Sequence, residues 1–423
     1  MSDLNGRSTP IDVENDPPSG RRLRLFIIAG ENSGDIHGSN LIKALRKLYP
    51  NFDARGLGGP NLEKAGVVLQ RNIVKDLAII GFVAVLANIR KIRRLFYATV
   101  DHLREWQPDA LILVDYPGFN IRIAEKAKQL GIPVIWYISP QIWAWHKSRL
   151  YTLAKLVDKM LVVFPFEVGL YREENVDVEH VGHPLFDLIK VERSREEIFE
   201  EFGLDPSRPL ITLVPGSRKK EVTQFLSIML EGTRRYREQD PTAQFVIVRA
   251  STIDPEMIDA IVAKMDLEDP PVVVDRLRYH VREYSDFSWV KSGTSTLEAA
   301  ILGRPMLIVY RVNYSTWTIG KHLFTIGHIG LPNIVAGDRI VPELLQDEFT
   351  AQNLADKTYY YMTDREAYER MEADLLRVKN KLGGPGASKN AARAVLEVCG
   401  VEPDEEQSPQ SHREHREVDA PRP

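Results

Sequence analysis

The sequence predicts an α/β protein of two doubly wound, Rossmann-like domains facing each other across a cleft, with C-terminal helices after them. Three observations carry this. Short apolar runs alternate with amphipathic stretches, the pattern of buried parallel strands in βαβ units. The pattern occurs twice: at 23–29, 110–114, 133–138 and 160–164, then at 210–214, 244–248, 271–274, 287–290 and 306–309. The chain has 423 residues, 43% hydrophobic and 27% charged, which is long for one core and ordinary for a globular protein.

Taken in order, residues 1–20 are polar and Pro-rich and read as a disordered lead-in. Residues 21–187 form the first domain, with a helical pattern over 36–48 after its first strand. The join falls near 181–195, where Gly182-His183-Pro184 precedes a charged stretch. Residues 188–342 form the second domain. Residues 343–400 are helical in pattern, with a break at 382–386, and 401–423 read as a disordered tail. In open sheets of this kind, ligands sit at the carboxyl ends of the strands, so the loops there are the places to look for chemistry.

Bulk composition narrows the partners. A net charge of −4 argues against nucleic acid. The single cysteine, Cys399, excludes an intramolecular disulfide and a Cys-rich metal site, and fits a reducing compartment. The N-terminus lacks an apolar signal core, and no run approaches ~18 apolar residues, so neither secretion nor a spanning helix is expected.

Five strand-end loops stand out. The first, Ala29-Gly30-Glu31-Asn32-Ser33-Gly34-Asp35, has two glycines for a tight turn and close ligand approach, and a helix start able to receive an anion. It reads equally as an ordinary strand-to-helix turn with Ser33 or Asp35 as N-cap. In Val114-Asp115-Tyr116-Pro117-Gly118-Phe119-Asn120, Asp115 follows a strand directly. There it is placed either to accept a proton from a hydroxyl nucleophile or to serve as a turn residue before Pro117. An exposed aspartate, with a pKa of ~3.9, is ionised at neutral pH. The third loop, 139–146, holds Trp143 and Trp145, which suit either an acceptor or acyl-chain site or plain packing; His146 reads as structural.

In the second half, Pro215-Gly216-Ser217-Arg218 combines small residues with a guanidinium that binds two phosphate oxygens, and Lys219 and Lys220 add charge. A surface basic cluster is the other reading. Ser292-Gly293-Thr294-Ser295-Thr296-Leu297-Glu298 opens a helix whose N–H groups and hydroxyls suit a diphosphate, with Glu298 placed for a ribose diol. Ser295 and Glu298 also fit a capping box. No metal is expected: the chain contains no Asp-x-Asp, and His180 and His183 lack supporting ligand spacing.

Residues 82–96 are amphipathic. Phe82, Val85, Leu86, Ile89, Ile92, Arg93 and Phe96 fall near one helical face, with Arg90, Lys91 and Arg94 beside it. An apolar stripe edged with cations lies readily in an anionic bilayer interface; core packing is the common alternative.

Taken together, the segments AGENSGDIHG, GLGGP, VDYPGFN, YISPQIWAW, FPFE, VGHP, LVPGSR, SGTSTLEAA and GLPNIVAG resemble the lipid-A-disaccharide synthase family, in order and over most of the chain. The resemblance implies a GT-B fold, with residues 21–187 binding the acceptor and 188–342 the UDP-sugar. It implies inverting, cofactor-free and metal-independent transfer of 2,3-diacylglucosamine from UDP-2,3-diacylglucosamine to 2,3-diacylglucosamine 1-phosphate, giving a β-1,6 disaccharide and UDP. By the same resemblance Asp115 and Arg218 are the catalytic pair. Gly30, Glu31, Ser33, Gly34, Asp35, Gly216, Ser217, Ser292, Gly293, Thr294, Ser295, Thr296, Glu298 and Asn333 bind substrate or nucleotide. Phe82, Val85, Leu86, Ile89, Arg90, Arg93 and Arg94 meet an anionic membrane surface. The implied location is cytoplasmic and peripheral, on the inner face of the inner membrane, and a homodimer is the implied assembly.

Two departures stand out. Gly118 takes the place of an aspartate common in relatives, leaving Asp115 without a second carboxylate in its own loop; Asn32 stands where threonine is common. The rival readings are another UDP-sugar GT-B enzyme and a non-catalytic nucleotide-sugar or lipid-binding protein. A Rossmann oxidoreductase is disfavoured, because no G-x-G-x-x-G follows the first strand.

Overall fold

The computed structural model describes residues 21–73, 89–140, 148–313, 317 and 327–404. The expected lead-in at 1–20, the Trp143–Trp145–His146 loop, the apolar residues Phe82, Val85 and Leu86, and tail residues 405–423 lie outside these.

Two parallel sheets form. The first contains β1 (Leu23–Ala29), β2 (Phe52–Gly58), β3 (Val68–Asn72), β4 (Ala110–Val114), β5 (Val134–Tyr137), β6 (Lys159–Val162) and β7 (Val178–His180), in the order β3-β2-β1-β4-β5-β6-β7. The second contains β8 (Leu210–Val214), β9 (Gln244–Val248), β10 (Val272–Val274), β11 (Phe287–Lys291), β12 (Met306–Tyr310) and β13 (Glu343–Leu345), in the order β10-β9-β8-β11-β12-β13. In each, strand order reverses about the strand that comes first in the chain, so β1 lies beside β4 and β8 beside β11. Those reversals are the switch points where an open α/β sheet receives ligands. By compactness the chain divides into residues 1–134 with 392–423, and residues 135–391.

The central strands are buried on both faces, which is why they read as unbroken apolar runs: every residue of β4 and of β8 is buried. The helix Asn32–Leu48 buries Leu41, Ile42, Leu45 and Leu48 at helical spacing. Around the second sheet, Phe225, Phe245, Trp289 and Phe349 pack together, and the Trp289 indole N–H donates to Thr358 Oγ1 at 2.7 Å.

Four strands escape the sequence reading. β3 is polar along much of its length, β2 carries two glycines, and β7 and β13 have three residues each. The segment from 343 therefore opens with a strand rather than a helix. Helices follow at Ala351–Thr363, Arg365–Leu382 and Ala387–Val398, with the expected break at Gly383. Among the described residues no helix is long and apolar enough to cross a membrane. Cys399 is buried, and that burial, reinforced by Asp109, pushes its thiol up to about 12.

Candidate active site

In the first compact unit, the loops after β1 and β4 lie side by side, because Ala29 pairs with Val114. Gly30 is the contact between them: a Cβ there would meet the Tyr116 ring at 2.3 Å, so only glycine lets the ring lie against this turn. Asp115 and Tyr116 both adopt left-handed backbone, with φ of 45° and 51°. Two consecutive non-glycine residues in that region carry strain, of the kind that collects at functional sites. Asn120 braces the turn by donating from Nδ2 to the Asp115 carbonyl at 2.7 Å, while its buried Oδ1 has no hydrogen-bond partner among the described residues.

Asp115 is not the exposed, ordinary aspartate that the sequence suggests. Burial, then the charge of Glu31, raise its pKa from 3.8 to about 6, against a lowering contribution from the Tyr116 backbone N–H. The neighbouring carboxylate missing from its own loop is supplied electrostatically by Glu31 on the adjacent one. Glu31 and Ser33 are exposed, and Gly34 is buried against Ala29 and Val114.

Asp35 takes a different role. Its carboxylate is fully buried and accepts from the backbone N–H groups of Gly59 (2.7 Å), Asn61 (2.9 Å) and Leu62 (3.1 Å), and from Asn61 Nδ2 (2.8 Å). It satisfies the start of the helix Pro60–Lys64 rather than its own, and the helix Asn32–Leu48 has Glu31 as N-cap with no side-chain cap bond. Asp35 thus ties the first loop to the GLGGP turn.

The second compact unit holds the cationic loops. Gly216 has φ 116°, and a Cβ there would come within 2.6 Å of Glu221. Glu221 is the organiser of this loop: its carboxylate accepts from Arg218 at 3.1 Å, Lys291 at 2.9 Å and the Ser217 N–H at 3.3 Å. Burial raises its pKa, but the hydrogen bond and charge of Lys291 and the charge of Arg218 outweigh that and hold it below the usual range. Arg218 is largely exposed, whereas Lys291 is mostly buried at the end of β11. Lys219 pairs with Asp254 at the surface.

Directly after Lys291, Ser292 donates its hydroxyl to Ile329 O at 3.1 Å. Gly293 is the N-cap of the helix Thr294–Ile301, and Thr296 Oγ1 donates back to Gly293 O at 2.7 Å. The Ser295–Glu298 capping box does not form. Glu298 accepts instead from the Tyr279 hydroxyl and the buried Arg282 guanidinium, which also holds Ser295 O. Thr294 is exposed and Ser295 half-buried at the open end of this helix. Asn333 is fully buried: its amide donates to Val341 O and Glu343 and accepts from the N–H groups of Ile340 and Val341. It fixes the loop after its own helix.

The sequence reading missed Tyr116, Glu221 and Lys291. Glu221 is signalled only by lying three residues after Arg218 on a helix, and Lys291 only by ending a strand before a glycine-containing helix start. His180 meets Val163 O and His183 receives the Leu185 N–H. Among the described residues no group of three His, Cys, Asp or Glu side chains is placed to hold a metal ion.

Solved structures share this architecture. The UDP-GlcNAc 2-epimerase from Neisseria meningitidis, bound to UDP-GlcNAc, superposes with a TM-score of 0.61 at 13% identity, covering 89% of this chain and 100% of that one. The calicheamicin glycosyltransferase CalG4 superposes with a TM-score of 0.58 at 14% identity, covering 89% and 99%. Such distant likeness establishes the fold: a GT-B-type pair of parallel α/β sheets. The family follows from sequence. The Lipid-A-disaccharide synthetase family matches residues 25–398. Lipid-A-disaccharide synthases from Geobacter metallireducens and Geobacter sulfurreducens are 44% and 42% identical, each over 89% of this chain and 97% of the relative. The chain belongs to the lipid-A-disaccharide synthase family, the glycosyltransferases of lipid A biosynthesis.

Proposed function

We propose that the chain transfers 2,3-diacylglucosamine from UDP-2,3-diacylglucosamine to 2,3-diacylglucosamine 1-phosphate with inversion. Residues 21–187 bind the acceptor and residues 188–342 the donor. Asp115 takes the proton of the acceptor 6-hydroxyl; the new O–C1 bond forms as the C1–phosphate bond breaks, and UDP leaves. The observation that carries this reading is Asp115 itself: a carboxylate raised to about 6, ionised at neutral pH yet far more basic than an exposed aspartate, at a switch point in a strained turn. Arg218, Lys291 and the helix start at 292–296 neutralise the leaving diphosphate. Glu31, Ser33 and Gly30 line the acceptor side, while Asp35, Glu298 and Asn333 hold the loops in place.

The same reading includes peripheral attachment to the inner face of the inner membrane, through Ile89, Arg90, Arg93 and Arg94 on the helix Ile89–Trp106, and assembly as a homodimer. Ile89, Arg90, Arg93 and Arg94 are all exposed. Co-sedimentation with anionic vesicles tests the first, and light scattering the second.

The deciding experiment is UDP release by purified protein in mixed micelles containing EDTA, with and without acceptor. Acceptor-dependent release, lost in Asp115→Asn and Arg218→Ala, is expected. UDP binding without release would return the chain to a binding role, and release without acceptor would point to a different UDP-sugar reaction.

A further inference from the structure

Beside the Asp115 loop, in the same compact unit, lies a cavity of about 540 Å³ between the helices Ile89–Trp106 and Pro117–Gln129. That is the size of a small-ligand pocket. Its walls are Ile89, Ile92, Phe96, Tyr97, Tyr116 and Phe119. The aromatic rings form a continuous run: Tyr97 to Phe96 at 5.4 Å, Phe96 to Phe119 at 6.3 Å, Phe119 to Tyr116 at 6.2 Å. Tyr116 is the next residue after Asp115, so one wall of the cavity belongs to the loop carrying the base.

Two further features say what the cavity takes. Arg93 and Arg122 line it, and among the described residues neither makes an ion pair; Arg93 only covers the Tyr97 ring. Gly118 also lines it, and a Cβ there would meet nothing within 4 Å. An apolar slot with two uncommitted guanidinium groups matches an acylated molecule carrying a phosphate.

We infer that this cavity holds an acyl chain of the phosphorylated acceptor, with Arg93 and Arg122 on its phosphate, and that Gly118 leaves room for the chain. The assignment rests on the transfer reaction proposed above and names the part of the site that selects the acceptor. The chain's apolar length is buried against Phe96 and Phe119, the phosphate stays at the mouth, and the sugar hydroxyl is left at the Asp115 loop. Ile89, half exposed on the helix read as membrane-facing, lies on the same wall.

The test compares wild type, Gly118→Leu and Arg122→Glu, each first shown to melt like wild type. Acceptors with stepwise shortened acyl chains are assayed below their micelle concentrations with one fixed donor. In wild type, kcat/KM for the acceptor falls by about fourfold per methylene removed. Gly118→Leu loses at least about tenfold on long chains and little on short ones, because the added branched side chain fills the slot. Arg122→Glu weakens every phosphorylated acceptor alike. Parallel chain-length curves in wild type and Gly118→Leu, with turnover intact, overturn the pocket and leave the reaction standing. Absence of acceptor-dependent UDP release overturns the reaction instead. The pocket is then read from binding of a fluorescent-acyl glucosamine 1-phosphate: affinity unchanged in Gly118→Leu sinks it. Displacement of that probe by phosphatidylglycerol as readily as by the acceptor would make this a seat for bilayer lipid and overturn the assignment.

Discussion

The loop after β4 and the loop after β8 each flank the switch point of their own sheet, and their electrostatics are opposite. At Asp115 a partly buried carboxylate has no cation partner among the described residues and lies near a second acid, so its proton is held more tightly than in water. At Arg218 two cations share one internal carboxylate, Glu221, so charge is compensated before any ligand arrives. On the proposed reading, the group that takes the proton is made basic by scarcity of compensation. On the same reading, the groups that meet the diphosphate are held by a placeholder anion.

The sharpest way to break the comparison is Asp115→Asn. Transfer should fall by roughly 10²–10⁴, measured as acceptor-dependent UDP release. Stability should move the other way. Because the folded-state pKa is raised from 3.8 to about 6, the folded state binds the proton more tightly, so stability is lost as pH climbs through that window and the full penalty is present at neutral pH. It amounts to roughly 3 kcal/mol at most, and asparagine also tolerates left-handed backbone. A higher melting temperature at pH 7 together with that fall in transfer is expected; a lower one would mean that the carboxylate has a stabilising partner.

Next in size is the cationic loop. Arg218→Ala should cost about 10²-fold in kcat/KM for the donor, and Lys291→Met about tenfold. An unchanged donor dependence in Lys291→Met would confine that lysine to structure. Glu221→Gln removes the placeholder while leaving both cations. The expected result is a several-fold rise in donor KM with a smaller change in kcat, because the cations lose their geometry before binding rather than in the transition state. The smallest effect is Glu31→Gln. It removes a charge that raises Asp115, so the acid limb of the kcat/KM–pH profile, expected near 6 in wild type, should move to lower pH with the plateau preserved.

The sequence was most legible where the physics is local and one-dimensional. β4, β8 and β9, buried at every residue, and β1, buried except at Arg24, were legible from their apolar runs with bounds that match the structure, because burial on both faces leaves no alternation to misread. β7 and β13 were not: three residues carry no periodicity, and Glu179, His180 and Glu343 break the apolar run that marks the equally short β10. The loops of the candidate site were found, but the roles within them depend on partners far along the chain. Asp35 spends its carboxylate on residues 59–62, Glu298 on Tyr279 and Arg282, and Glu221 joins Arg218 to Lys291. Spacing alone does not separate a Ser295–Glu298 capping box from a ligand-binding Glu298; the buried Arg282 competes for that carboxylate and wins it.

Cys399 has a practical consequence. It is the chain's only thiol, and burial with a nearby Asp109 holds it at about 12, so almost none of it is thiolate at neutral pH. A maleimide or methanethiosulfonate reagent should therefore pass it by in the folded protein. A cysteine introduced at an exposed position such as Lys220 would be the sole reactive handle, with no background to engineer away. The native chain is thus ready for site-directed spin or dye labelling, and recovery of thiol reactivity at Cys399 becomes a built-in reporter of unfolding.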